Sequence, residues 1–112
     1  MNWIPITNET QVTELIERSK QVPCLVFKHS TRCSISSIAK HRLEDDWSFS
    51  ADEMEAYYLD LISYRSISAQ LAEVFQVHHE SPQVLLLIDG DCVYDASHLD
   101  ISVGELKEVL PA

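Results

Sequence analysis

The chain has 112 residues, of which 46% are hydrophobic, enough for one domain (residues 1–112) with a single core. Lys and Arg total 8 against 18 Asp and Glu, a formal charge of −10, so nucleic acid and anionic membrane surfaces are not expected partners. No apolar run approaches the ~20 residues of a membrane span, and the start "MNWIPITNET" lacks the basic and apolar regions of an export signal, so a cytoplasmic location is expected.

In chain order, "WIPI" reads as a short extended piece. Asn8 and Gln11 form a capping-box pattern, and Val12, Leu15 and Ile16 follow at helical spacing. "PCLVFK" (Pro23 to Lys28) is a continuous apolar run, the mark of a strand covered on both faces. After a polar loop, Ile35, Ile38, Ala39, Arg42 and Leu43 keep helical spacing towards Trp47. "SFSADE" reads as a loop and "AYYLDL" as a strand. "SYRSISAQLAEVFQV" puts Ile67, Leu71, Val74 and Phe75 on one helical face. In "SPQVLLLIDGDCVYDA" two β-rich runs flank Asp89-Gly90, a favoured hairpin dipeptide. Ser102 and Glu105 repeat the capping pattern, Ile101 can staple against Leu106, and Val109 and Leu110 complete the stripe.

This order fits an α/β domain with a four-stranded mixed sheet and helices on both faces, the thioredoxin-like arrangement. Periodicity alone leaves other α/β plans open.

The cysteines number 3, at positions 24, 33 and 92, an odd count that does not suggest a disulfide framework. In a reducing compartment they are free thiols, and the question becomes which one reacts. Cys33 lies in "VFKHSTRCSISS", beyond the C-terminal end of a strand and at the opening of a helix. Unpaired backbone N–H groups and the helix dipole stabilise an anion there, and cysteines so placed ionise more readily than the ~8.5 of a free thiol. Lys28, His29 and Arg32 lie just upstream and can add positive potential, whichever of them points inward. Cys33-Ser34-Ile35-Ser36 is a C-x-x-C redox motif with serine in place of the second thiol. Ser36 can donate a hydrogen bond to the thiolate but cannot close a disulfide. The chemistry left to Cys33 is attack on a mixed disulfide, with release by an external thiol.

Cys24, at the start of its strand, is carried over ~10 Å from Cys33 at about 3.3 Å per residue. The Asp89-Gly90 hairpin takes Cys92 to the same far end. Disulfides need Cα atoms within about 7 Å, so neither thiol should reach Cys33. A bond between Cys24 and Cys92 is not expected either, since the third strand should separate theirs. Both read as packing residues. Pro82 begins a strand that this plan brings beside Cys33, and a cis Ser81–Pro82 bond would turn the Ser81 backbone towards the incoming disulfide. His78-His79 has no ligand partner at metal spacing, so no metal site is expected. His98 could reach the active face or cap a turn. The acidic stretches "LEDDW" and "ADEMEA" read as solvated faces.

With these residues in view, the chain resembles the monothiol bacilliredoxins, a thioredoxin-like family associated with the bacillithiol redox system of low-GC Gram-positive bacteria. The resemblance rests on "FKHSTRCSIS", "HESPQVLLL" and "ASHLDIS". It implies that Cys33 takes bacillithiol off S-thiolated proteins, holding the adduct until another thiol removes it. It also implies that Ser81-Pro82 is the cis-proline element facing that cysteine. The family commonly has proline directly after the cysteine; here that position is Ser34, whose hydroxyl and N–H bear on the thiolate or on the adducts that fit.

The expected activity is therefore a monothiol thiol–disulfide oxidoreductase. Cys33 and Ser36 are its catalytic residues, and His29, Arg32, Ser34, Ser81 and Pro82 bind substrate. It needs no cofactor beyond a low-molecular-weight thiol such as bacillithiol as co-substrate. Its partners are S-thiolated proteins and that thiol. A carrier or adaptor holding a persulfide or an iron–sulfur cluster at Cys33, and a scaffold binding through its sheet edge, remain the alternatives.

Overall fold

The computed structural model describes residues 1–110. Its elements are β1 (Trp3–Pro5), α1 (Thr10–Arg18), β2 (Cys24–His29), α2 (Ser34–Asp46), β3 (Glu55–Asp60), α3 (Arg65–Phe75), β4 (Gln83–Ile88), β5 (Asp91–Ser97), a 3-10 turn (His98–Asp100) and α4 (Val103–Val109). They build a five-stranded sheet in the order β1-β3-β2-β4-β5. The expected mixed sheet is present, with one strand more than anticipated. Trp3, Ile4 and Pro5 pair in parallel with Ala56, Tyr57 and Tyr58. A three-residue piece is too short to display alternation, and only its neighbour β3 makes it a strand.

Strand β2 is parallel to β3 and antiparallel to β4, so it lies inside the sheet with every residue buried. That explains its unbroken apolar run. Successive side chains point to opposite faces. Cys24 and Val26 join Leu85 and Leu87 under Val12 and Leu15 of α1 and Ile67 and Leu71 of α3. Leu25 and Phe27 join Val84 and Leu86 under Ala39 and Leu43 of α2 and Leu106 of α4. Helices thus cover both faces, the thioredoxin-like layering.

The local signals act as read. Gln11 N–H donates to Asn8 Oδ1 at 3.2 Å and Asn8 N–H donates to Gln11 Oε1 at 3.1 Å, a reciprocal capping box. At α4, Glu105 N–H donates to Ser102 Oγ at 3.2 Å, and Ile101 and Leu106 are both fully buried. Asp89 and Gly90 take φ of 53° and 83°, the left-handed pair that a two-residue hairpin turn needs. Their N–H groups donate to Ser19, at 2.9 Å to its carbonyl and 2.8 Å to its hydroxyl, tying the turn to the end of α1.

Helix α2 departs from the expected stripe. Its buried residues are Ser36, Ala39 and Leu43, while Ile35 and Ile38 are 40% and 50% exposed. The helical period holds, but the helix is rotated so that a serine faces inward and two isoleucines face solvent.

Candidate active site

Cys33 is the N-cap of α2, in extended backbone with φ −110° and ψ 120°, and is partly exposed. The first helical bond runs from Ser37 N–H to Cys33 C=O at 3.2 Å. The N–H groups of Ser34, Ile35 and Ser36 therefore have no acceptor within the helix. No side chain caps this end and no acidic residue sits in its first turn. An anion at the cysteine meets aligned amide dipoles with no competing carboxylate beside it in the helix.

The loop from Ser30 to Cys33 is held by a polar pin. Cys33 N–H donates to Ser30 C=O at 3.1 Å, and Ser30 N–H donates to Ser36 Oγ at 3.0 Å. Ser36 is fully buried, and its Oγ lies 2.7 Å from Nδ1 of His29, the last residue of β2. Burial, then the nearby Lys40 charge, push the His29 pKa down, so the ring is neutral at physiological pH. The imidazole is wedged between Phe27 and Tyr58, with ring centroids 5.6 Å away on each side.

These contacts correct two expectations. Among the described residues, Ser36 makes no hydrogen bond to the Cys33 sulfur; its hydroxyl is engaged by Ser30 and His29. His29 is 5% exposed and uncharged, so it supplies neither positive potential nor a surface contact. Both follow from alternation along β2, which directs His29 beneath α2. Lys28 consequently faces the opposite side of the sheet, towards α3, and hydrogen-bonds Ser68 C=O at 3.2 Å. Of the three upstream basic residues only Arg32 is exposed. Ser34, the first residue of α2, is exposed beside the cysteine.

The Ser81–Pro82 bond is cis. The β2–β4 register pairs Lys28 with Gln83, so one step further sets Pro82 opposite His29, at the end of the sheet that leads to Cys33. Pro82 C=O accepts from His98 N–H at 3.0 Å, and Ser81 Oγ is buried with no hydrogen-bond partner among the described residues. His98 also places Nε2 3.6 Å from Glu80 Oε2, bracing the segment before the proline. His98 thus supports the cis-proline loop through backbone and side chain.

The other thiols are remote. Register aligns Cys24 with Leu87 and Leu87 with Cys92, so β4 lies between them. Two strand spacings are about 9.6 Å, beyond disulfide reach. Burial pushes the Cys24 thiol up to about 12 and the Cys92 thiol up to about 11. Both are packing residues, as expected.

Comparison with known proteins agrees with this geometry. The family described as "Monothiol bacilliredoxin BrxC" matches residues 4–106. The chain belongs to the monothiol bacilliredoxin family. A solved structure described, provisionally, as an oxidoreductase with a thioredoxin fold is 31% identical with a TM-score of 0.79, over 96% of this chain and 92% of that one. A redox protein from Chlamydomonas reinhardtii shares the fold at 18% identity and a TM-score of 0.75, over 96% of this chain and 34% of that longer one. Thioredoxin from Fasciola hepatica does so at 16% identity and a TM-score of 0.71, over 95% and 94% of the two chains. This monothiol bacilliredoxin is therefore a thioredoxin-fold protein with a thiol redox role. No described helix is long and apolar enough to cross a membrane.

The sequence reading missed two features of the site. The sequence reading places Lys28 among several flanking charges, although a lysine in an otherwise apolar buried run is itself a signal. The helical spacing of Ile35 and Ile38 does not say which way they face, and the structure exposes both. Arg42, one turn beyond Ile38, donates to Leu99 C=O at 3.2 Å, so this exposed stripe runs beside the His98–Asp100 turn, where Leu99 is 60% exposed.

Proposed function

We propose that this bacilliredoxin removes a low-molecular-weight thiol, bacillithiol by its family, from mixed disulfides on cytoplasmic proteins. The observation that carries the reading is a lone, partly exposed Cys33 at the N-terminus of α2, with Cys24 buried and a half-buried Cys92 at the far end of the sheet, neither within disulfide reach.

The Cys33 thiolate attacks the sulfur of the small thiol in the protein mixed disulfide. A new disulfide forms between Cys33 and that small thiol, and the protein's sulfur leaves as a thiolate that takes a proton from solvent. With serine at the fourth position of the motif, Cys33 cannot discharge its adduct internally. A second small thiol, as thiolate, attacks the adduct, giving a free small-molecule disulfide and restoring Cys33. Oxidising equivalents pass from protein to small molecule with no net change in this chain and no metal or organic cofactor.

Ser34, Ile35 and Ser36 present their N–H groups to the charge at Cys33, and the Ser36–His29 pin fixes the loop that carries it. Ser81 and Pro82 offer backbone to align the mixed disulfide, and Arg32 supplies positive charge at the surface. The exposed Ile35, Ile38 and Leu99 border the site with apolar surface suited to a protein substrate rather than a small molecule alone.

The test is transfer from an S-bacillithiolated protein, followed by intact mass. Wild type should gain one bacillithiol and release the substrate thiol, while Cys33→Ser should do neither. Retention of transfer in Cys33→Ser would overturn the mechanism, and faster transfer from a glutathionylated substrate would overturn the choice of thiol.

A further inference from the structure

Lys28 is the least expected side chain in the interior. It is fully buried in the central strand, on the face covered by α1 and α3, and none of the described carboxylates forms an ion pair with it. Its Nζ donates to Ser68 C=O at 3.2 Å and lies 3.4 Å from His79 Nδ1. An ammonium has three protons, so one remains without an acceptor among the described residues. Burial lowers its pKa to about 8, which still leaves it charged at neutral pH. An uncompensated buried charge is costly to a fold, and here a pocket adjoins it.

That pocket, about 290 Å³, is lined by Leu61, Arg65, Ser68, Ala69 and His79. Two of its walls, Ser68 and His79, are the residues that hold the Lys28 ammonium. Arg65 is the first residue of α3, a helix with neither a side-chain cap nor an acidic residue in its first turn. It is exposed and has no ion-pair partner among the described residues. Lysine only donates, so a hydrogen bond at the His79 contact makes Nδ1 the acceptor and leaves the ring proton on Nε2 as a further donor. The nearby carboxylate of Glu80 is turned to His98. In a chain of formal charge −10, an unpaired Arg65 and a neutral imidazole line one cavity, and the Lys28 ammonium lies behind its Ser68–His79 wall.

We propose that this pocket binds a carboxylate or phosphate group, held by Arg65 and His79 at its lining and favoured by the Lys28 charge behind the Ser68–His79 wall. The same chemistry has two sources, a free small anion or the acidic end of the small thiol carried on Cys33; the second rests on the function proposed above. His79 lies two residues before Ser81–Pro82, and Lys28 immediately precedes His29, so the pocket lies at the sheet end that carries Cys33, on the opposite face from α2.

The experiment is an NMR amide titration of the reduced full-length protein with inorganic phosphate and with malate. Saturable shifts centred on Arg65, Ser68 and His79 are expected in wild type and equally in Cys33→Ser, which separates this proposal from the redox mechanism. The surface variant Arg65→Gln should weaken binding about tenfold or more, the loss of a charge-assisted contact, and Lys28→Met should weaken it through loss of the charge behind the wall. Arg65→Gln keeps the test decisive should Lys28→Met fail to fold. Repeating the malate titration on protein carrying bacillithiol on Cys33 separates the sources: blocked binding identifies the adduct's own acid groups, unchanged binding a free anion. No saturable shift at these residues, or an affinity unchanged in Arg65→Gln, would overturn the proposal.

Discussion

Replacing Ser36 by alanine tests how the site is built. The substitution deletes two hydrogen bonds, 2.7 Å to His29 Nδ1 and 3.0 Å from Ser30 N–H, at a fully buried position. A buried group deprived of its partner costs about 1–3 kcal/mol. His29 is nearly sealed from water and takes the full cost, whereas Ser30 is partly exposed and regains some hydration. The expected loss is therefore about 2–3 kcal/mol, read as a lower urea midpoint at unchanged slope. The same pin ends the loop that carries Cys33, so disulfide transfer should slow by about ten- to a hundredfold through misplacement of the sulfur. Had Ser36 served the thiolate directly, the rate would fall with little change in stability. A variant within about 0.5 kcal/mol of wild type would refute the pin and restore the direct role.

Three further outcomes follow from the same geometry. With Cys24 at about 12 and Cys92 at about 11, their thiolate fractions at pH 8 are about 10⁻⁴ and 10⁻³, so iodoacetamide followed by peptide mapping should mark Cys33 first, and early label on either of the others would contradict their suppressed ionisation. Lys28 titrates at about 8 folded against 10.5 unfolded, so the unfolded chain binds more protons between those values and stability from this residue rises with pH there. Relative to Lys28→Met, wild type should gain up to about 3 kcal/mol across that window, measured as the difference in urea unfolding so that the opposing effect of the buried thiols cancels; a flat difference would show the amine is not desolvated. Gly90→Ala forces a side chain into φ 83° where its Cβ would otherwise have room, 3.5 Å from Ile16, so it should cost about 1–2 kcal/mol by strain alone in thermal melts, and a neutral result would mean the turn relaxes.

The sequence by itself determined most of the elements and the layering, and it singles out Cys33 as the thiol proposed to react, because these rest on local rules. Capping residues at Asn8 and Ser102, the Asp89-Gly90 turn and the unbroken β2 run each act within a few residues of where they are written. The serine at the fourth position of the cysteine motif likewise states its consequence without coordinates: no second sulfur, hence no internal disulfide. What only the tertiary structure decided is direction. Whether His29 or Lys28 points towards α2 depends on the parity of a strand in its sheet. Whether Ser36 or Ile35 faces inward depends on the rotation of a helix against that sheet, a choice spacing alone does not make. The edge strand β1, too short to show a period, exists only through its pairing with β3. The Lys28 pocket belongs to the same class, since its residues come from a strand, a helix and a loop far apart in the chain, and their convergence is a property of packing.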